Sequence, residues 1–219
     1  MAATITVDAI LRRAATMLQD QSNRRWTLSE LLNWFNDGQR AIVLRKPNAS
    51  VKNINVALVA GTKQSIPPDG VQLLDVVRNE SGAVITIVER AILDSQMPTW
   101  HTASANDKVQ HYCHNDRDLK NYYVYPPNTG KGSIELVYCV APADAALNGT
   151  ITLDDIYEPV LLDFIMGRAY SKDSEYTADP TRAAMHFTAF DNALGGQVRV
   201  EAGNSPRTGA RSNSTLATR

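Results

Sequence analysis

Thr27-Leu28-Ser29-Glu30-Leu31-Leu32-Asn33-Trp34-Phe35-Asn36-Asp37-Gly38-Gln39-Arg40-Ala41-Ile42-Val43-Leu44-Arg45-Lys46-Pro47 decides how the rest of the chain is read. Its first four residues spell a capping box, in which the Thr27 hydroxyl accepts an orphan N–H of a helix start and Glu30 reaches back to the Thr27 N–H. Leu28, Leu31, Leu32, Phe35, Ile42 and Val43 then recur at helical spacing and carry a buried face. Pro47 ends the run, because it has no N–H to donate and biases Lys46 away from helical geometry. Upstream, Val7, Ile10, Leu11, Ala14 and Leu18 repeat at the same period behind Thr4 or Thr6 as cap. Two amphipathic helices are therefore expected before Pro47.

Beyond Val51 the period changes. Short β-branched or aromatic runs alternate with Gly, Pro, Asn and Asp clusters at intervals near ten residues, the pattern of antiparallel β structure. Strands are expected at 53–59, 73–78, 83–86, 109–113, 122–125 and 133–140. Turns are expected at 60–61, 67–70, 126–128 and 130–132, and 87–94 is open to a short helix. Pro98-Thr99-Trp100 reads as a loop whose large aromatic needs cover from its own domain or from a neighbour. Helical spacing returns with Ile156, Val160, Leu161, Phe164, Ile165 and Ala169 behind Asp154 or Asp155 as cap, with Pro159 in or near the first turn. A last helix starts at Asp179-Pro180, carries Ala183, Phe187, Phe190 and Leu194, and is expected to stop at Gly195-Gly196. The fold class is thus α+β: a discontinuous helical bundle from 1–50 and 151–196, an inserted antiparallel β domain at 51–150, barrel or sandwich, and a flexible C-terminal arm at 197–219.

Composition narrows the function. The 219 residues are 43% hydrophobic and 21% charged, with 22 Lys+Arg against 23 Asp+Glu, ordinary values for a globular chain. A net charge of −1 offers no global attraction to nucleic acid or anionic lipid. No run approaches the roughly 20 apolar residues that cross a bilayer, so no membrane partner is expected. The N-terminus lacks the pattern of a secretory signal, and two cysteines cannot make a disulfide framework, so synthesis in a reducing cytoplasm is expected. Residues 203–219 hold no acid, no aromatic and three arginines, Arg207, Arg211 and Arg219, a side-chain charge of +3. Such a segment buries too little apolar surface to offset its ordering entropy, and the alternative reading is a merely frayed terminus.

Nothing in the sequence nominates a catalytic residue. The densest polar cluster is His111-Tyr112-Cys113-His114-Asn115-Asp116-Arg117-Asp118, with His101 upstream and Cys139 downstream. On a strand His111 and Cys113 share one face and His114 takes the other, and no Cys-x-x-Cys or His-x3-His completes a tetrahedral set, so neither metal nor other cofactor is expected. Cys113 and Cys139 are read as reduced residues of adjoining strands. Asp154-Asp155 is a carboxylate pair at a helix start, where capping and dipole complementarity outweigh acid-base chemistry. There is no Gly-x-Ser-x-Gly elbow, no catalytic-cysteine signature and no phosphate-binding Gly-rich loop.

Several phrases together carry a resemblance. Arg25-Trp26, Trp34-Phe35-Asn36-Asp37-Gly38-Gln39-Arg40-Ala41-Ile42 with Lys46-Pro47, Gly61-Thr62-Lys63-Gln64 with Ile66-Pro67, and Arg78-Asn79 come first. Pro98-Thr99-Trp100-His101, Tyr123-Val124-Tyr125-Pro126-Pro127, Tyr138 with Ala141-Pro142, and Arg168-Ala169-Tyr170-Ser171-Lys172-Asp173 follow. From about Arg25 to Phe190 the chain resembles the head-to-tail adaptors of short-tailed phages (podoviruses), proteins similar in role to tail tubular protein A; the terminal segments lie outside that resemblance. It implies a non-enzymatic virion protein without cofactors, a ring, commonly a dodecamer, docked on the portal protein. The tail nozzle or tail tube protein would be carried below, and genomic DNA would pass through the lumen without sequence-specific binding during ejection. On that expectation Arg199, Arg207, Arg211 and Arg219 form a portal-binding arm, and Trp100, Arg168, Tyr170, Lys172 and Asp173 contact a neighbouring subunit. The alternatives are another tail-completion ring or, in a different class, a metal-binding or hydrolytic accessory protein built on His111, Cys113, His114 and Cys139.

Overall fold

The structure is a computed structural model that describes residues 4–115, 117–172 and 179–204. Its elements are the helices α1 (Val7–Met17), α2 (Leu28–Arg45), α3 (Arg90–Gln96), α4 (Glu158–Lys172) and α5 (Asp179–Asn204), and the strands β1 (Val51–Ala57), β2 (Gly61–Ser65), β3 (Gly70–Asn79), β4 (Thr86–Ile87), β5 (His111–Asn115), β6 (Asp118–Asn128) and β7 (Ser133–Val140). The protein is therefore mixed α+β, with five helices and two sheets among the described residues. By contact it divides into two compact units, one built from the chain up to Lys46 and from Pro142 onward, the other from Pro47–Ala141.

In the first unit α1 and α2 start where their caps sit. The Thr6 hydroxyl accepts from the Ala9 N–H, and Thr27 and Glu30 form the full capping box, so the signals read from sequence operate as written. Lys46 closes α2 before Pro47. Val7, Ile10, Leu11 and Ala14 of α1, Leu31, Phe35 and Ile42 of α2, Leu161, Phe164 and Ile165 of α4, and Phe190 and Leu194 of α5 are buried. Helix α4 packs against α1, α2 and α5. Two glycines permit that centrality. A Cβ on Gly38 would lie 3.1 Å from both Leu161 and Phe164, and one on Gly167 would lie 2.9 Å from the Phe187 ring, so α2 and α5 approach α4 only because those positions carry no side chain.

Three expectations change here. Ile156, placed on the buried face, is 62% exposed, because Asp155–Tyr157 is a 3-10 turn that rotates it away before α4 begins. Gly195-Gly196 does not stop α5, which runs on to Asn204. Neither glycine takes the positive φ that a left-handed stop requires, and Gln197-Val198-Arg199-Val200 supplies residues able to continue the helix. Residues 142–150 belong to the first unit rather than to the β region. Residues 205–219, expected to be disordered, lie outside the described residues.

In the second unit the order of one sheet is β1-β7-β3 and of the other β2-β6-β5-β4, antiparallel except for the short β4–β5 pair. The sheets face each other across one core. Val76, Ile134, Leu136 and Tyr138 come from the first, Tyr112, Tyr122 and Val124 from the second, with Leu58 and Ile66 from the segments that flank β2. The open choice between barrel and sandwich resolves to a small sandwich. Strand β2 was not anticipated, since Thr62 and Gln64 are polar yet buried. The 126–128 turn is instead the end of β6; proline lacks only the donor, and the Pro127 carbonyl accepts from the Asn106 N–H at 2.8 Å. Helix α3 confirms the helical option for part of 87–94.

Candidate interaction site

The polar phrases singled out in the sequence turn out to be long-range ties. Trp26 is buried, and its Nε1–H donates to the Ala169 carbonyl at 3.1 Å. Lys172 Nζ donates to the Arg25 carbonyl at 3.1 Å and to Glu30 at 2.7 Å. Arg25-Trp26 and Arg168–Lys172, more than 140 residues apart, thus meet at one junction between the start of α2 and the end of α4. The Lys172 ammonium is the first cause holding the Glu30 carboxyl below the usual range, with the Thr27 N–H and hydroxyl adding to it. Asp20 shapes the approach to α2, accepting from the N–H groups of Trp26, Arg24 and Arg25, which lower its pKa.

Asn36 and Gln39 make a second tie. Gln39 is 0% exposed; its Oε1 accepts from the Thr152 N–H at 2.9 Å and hydroxyl at 2.6 Å, while its Nε2 donates to Asn36 Oδ1. Asn36 exchanges two bonds with the backbone of Ala145, and Arg40 pairs with Asp37 and Asp144. One face of α2 therefore holds the chain as it returns at 144–152. At the same end, Asp154 caps its turn by accepting from the Ile156 N–H, and Asp155 accepts from the Thr4 hydroxyl and N–H and the Ile5 N–H. The carboxylate pair is used for capping and for fastening the N-terminal segment.

Of the residues expected to touch a neighbour, Arg168 is exposed and lies over the Phe164 ring at 5.2 Å. Tyr170 is partly buried, stacked on His186 at 5.8 Å with the Arg182 guanidinium over its ring at 5.6 Å, and His186 bonds Asp163 at 2.9 Å. Lys172 is exposed while serving the junction above. Asp173, Arg207, Arg211 and Arg219 lie outside the described residues, and Arg199 is placed on α5 by its backbone. Trp100, in the second unit, is 1% exposed. It receives its cover from its own domain: it stacks on His101 at 3.7 Å, meets Tyr123 edge-on, donates to Asp94 at 2.9 Å and packs with Leu93 and Cys113.

The second unit is pinned by buried amides, of which Gln64 and Asn79 stand in the phrases quoted for the resemblance and Asn128 in the expected 126–128 turn, without a role read for any of them. Asn128 donates to the Asn106 and Asp107 carbonyls, both at 3.1 Å, and accepts from the Gly130 and Gly132 N–H groups. Asn79 joins its own turn to Val109, and Gln64 closes the β1–β2 turn by bonding Val59 and Gly61. Asn and Gln in turn-like clusters were the available signal, but only burial tells them from solvated ones.

The two cysteines do not occupy adjoining strands. Cys113 lies on β5 and Cys139 on β7, in different sheets, and burial pushes both thiols up in pKa. Alternation places Cys113 on the outer face with Trp100 and Tyr112 in the sandwich core, which separates the members of the His111–His114 cluster. Among the described residues no three His, Cys, Asp or Glu side chains group as metal ligands, and no helix is long and apolar enough to cross a membrane.

Polar clamps that span the chain and rigid turn clusters make a scaffold for holding surfaces in place. The family model described as SU10 adaptor protein matches residues 5–215, and the chain belongs to that family of phage head-to-tail adaptors. The match reaches past both ends of the resemblance read from motifs, taking in α1 and the arginine-bearing segment as far as residue 215. No curated protein matches the chain. Membership makes the protein a structural virion component that binds other virion components, and it points away from catalysis.

Proposed function

We propose that this chain is the subunit of a ring, twelve-fold by its resemblance to short-tailed phage adaptors, that joins the portal protein to the tail nozzle or tail tube protein. The observation that carries this reading is the family match over 5–215. The helical unit and the arm containing Arg199, Arg207, Arg211 and Arg219 bind portal; the sandwich packs against neighbouring subunits or the next tail component. The last stretch of the arm, 203–219, with three cations and no acid, orders only where a partner supplies contacts, which delays assembly until that partner is present. Genomic DNA passes through the lumen without sequence-specific binding, and a chain of net charge −1 does not hold the phosphate backbone during ejection. Arg168, Tyr170, Lys172 and Asp173 contact a neighbour at the end of α4, while Trp100 supports the loop whose exposed residues do so.

The test is the mass in solution, by light scattering after gel filtration, of the full chain and of a chain ending at Asn204, each alone and with the portal of the same phage. The full chain is expected to join portal and the shortened one to stay folded and apart. Equal docking by both removes the arm from the scheme, and failure of both removes portal as the partner.

A further inference from the structure

The sandwich exposes two apolar edges, and they are unlike. Strand β1 ends one sheet, and every residue in it is exposed except the partly buried Val56. The Val140 N–H bonds the Ser50 carbonyl and the Leu58 N–H bonds the Gly132 carbonyl, so even-numbered residues face β7. By strand alternation Val51, Asn53, Asn55 and Ala57 turn their N–H and C=O groups outward. Around this open edge Val51 is 44%, Ile54 41% and Val59 60% exposed. Lys52, the one charged side chain of β1, is paired with Asp69 at 2.6 Å. A strand left this way is a template for another chain.

The second edge is the corner where the chain crosses between sheets. Val84 bridges to Arg78 of β3, the Ile85 N–H bonds the Val77 carbonyl, and Thr86 and Ile87 then pair with β5. Here Val84 is 72%, Ile87 66% and Ile92 43% exposed. Because β7 separates β1 from β3, and this corner adjoins β3, the two edges lie on opposite sides of the sandwich.

We infer that the Val84–Ile87–Ile92 edge of one subunit packs on the β1 edge of the next, a head-to-tail contact within the ring proposed above, on which this inference rests. Two different, mutually complementary patches on opposite sides of one body are what a heterologous interface needs, whereas a two-fold dimer uses one self-complementary patch twice. Each edge offers apolar area on the order of 300 Å², well below the roughly 800 Å² per partner of a stable pair. A lone pair of subunits is therefore weak, and the contact persists when many are held side by side.

The experiment uses two blocked versions of the full chain, Val51→Glu with Val59→Glu, and Val84→Glu with Ile87→Glu; all four side chains are at least 40% exposed, so the fold tolerates them. Sedimentation at about 1 mM subunit is expected to show wild-type chains associating, each blocked version at least tenfold weaker, and a mixture of the two forming one-to-one dimers that grow no further. Asn53→Pro, which removes an outward N–H while leaving the β7 ladder, is expected to weaken association with unchanged circular dichroism. Blocked versions that assemble like wild type overturn this interface and leave the ring reading standing. A mixture that stays monomeric overturns it too, as does a wild-type chain that remains monomeric at that concentration; if that chain also ignores portal, the ring reading falls with it.

Discussion

The two units solve the same problem at different ranges. In the helical unit the buried polar ties join residues more than 100 apart: Trp26 to Ala169, Gln39 to Thr152, Asn36 to Ala145. In the sandwich the corresponding amides act within short distances of chain, Gln64 on Gly61 and Val59, Asn128 on Gly130 and Gly132, Asn79 on Ala83 and Val109. Loop-closure entropy grows with separation, so the sandwich can form while the first helices still wait for α4 and α5. The helical unit closes only once α4 and α5 have been made.

The largest effect that tests this contrast is Asn128→Ala, which strands two carbonyls and two N–H groups in one turn cluster. It is expected to cost about 3 kcal/mol, with faster hydrogen exchange by mass spectrometry confined to peptides of 47–141. Gln39→Leu should cost about 2 kcal/mol, because the Thr152 N–H and hydroxyl lose their acceptor. Its faster exchange should appear jointly in 28–45 and 145–165, and a change limited to α2 would break the claim that the tie is mutual.

The smallest effect concerns charge. Asp69 and Glu135 of the sandwich are lowered first by Lys52 and Arg78, whereas Asp20 is lowered first by the Trp26 N–H, and Asp155 by the Thr4 hydroxyl followed by backbone N–H groups. All four bind protons less readily folded than unfolded. Their contribution is therefore complete above the ordinary carboxylate range and is lost as pH falls from about 5 downward. Exposed ion pairs are screened by salt and hydrogen bonds from uncharged donors much less so. Carboxyl titration by NMR at about 0.05 M and 0.5 M salt is expected to move Asp69 and Glu135 upward and leave Asp20 and Asp155 in place.

Legibility followed the same division. Caps and apolar stripes are local signals, so Thr6, Thr27-Glu30 and the α4 core face were readable, as were most strands through their alternation. Strand β2 was not, because Thr62 and Gln64 are buried by partners that only folding brings. Gly195-Gly196 misled because a stop requires a left-handed residue, and the helical residues after it prevailed. The motifs that carried the family likeness were visible, but their work was not: nothing in Asn36-Asp37-Gly38-Gln39-Arg40 says that its partners arrive a hundred residues later.

The first and last strands of the sandwich are neighbours, with Val51 opposite Cys139 along an antiparallel ladder. The polypeptide leaves and regains the helical scaffold through a single doorway, so 47–141 is topologically a cassette. A genetic exchange that replaced this stretch would leave every long-range tie of the helices, from Trp26 to Thr152, encoded in the flanking text. Virion joints built this way can inherit a new β module without relearning how to close the helical one.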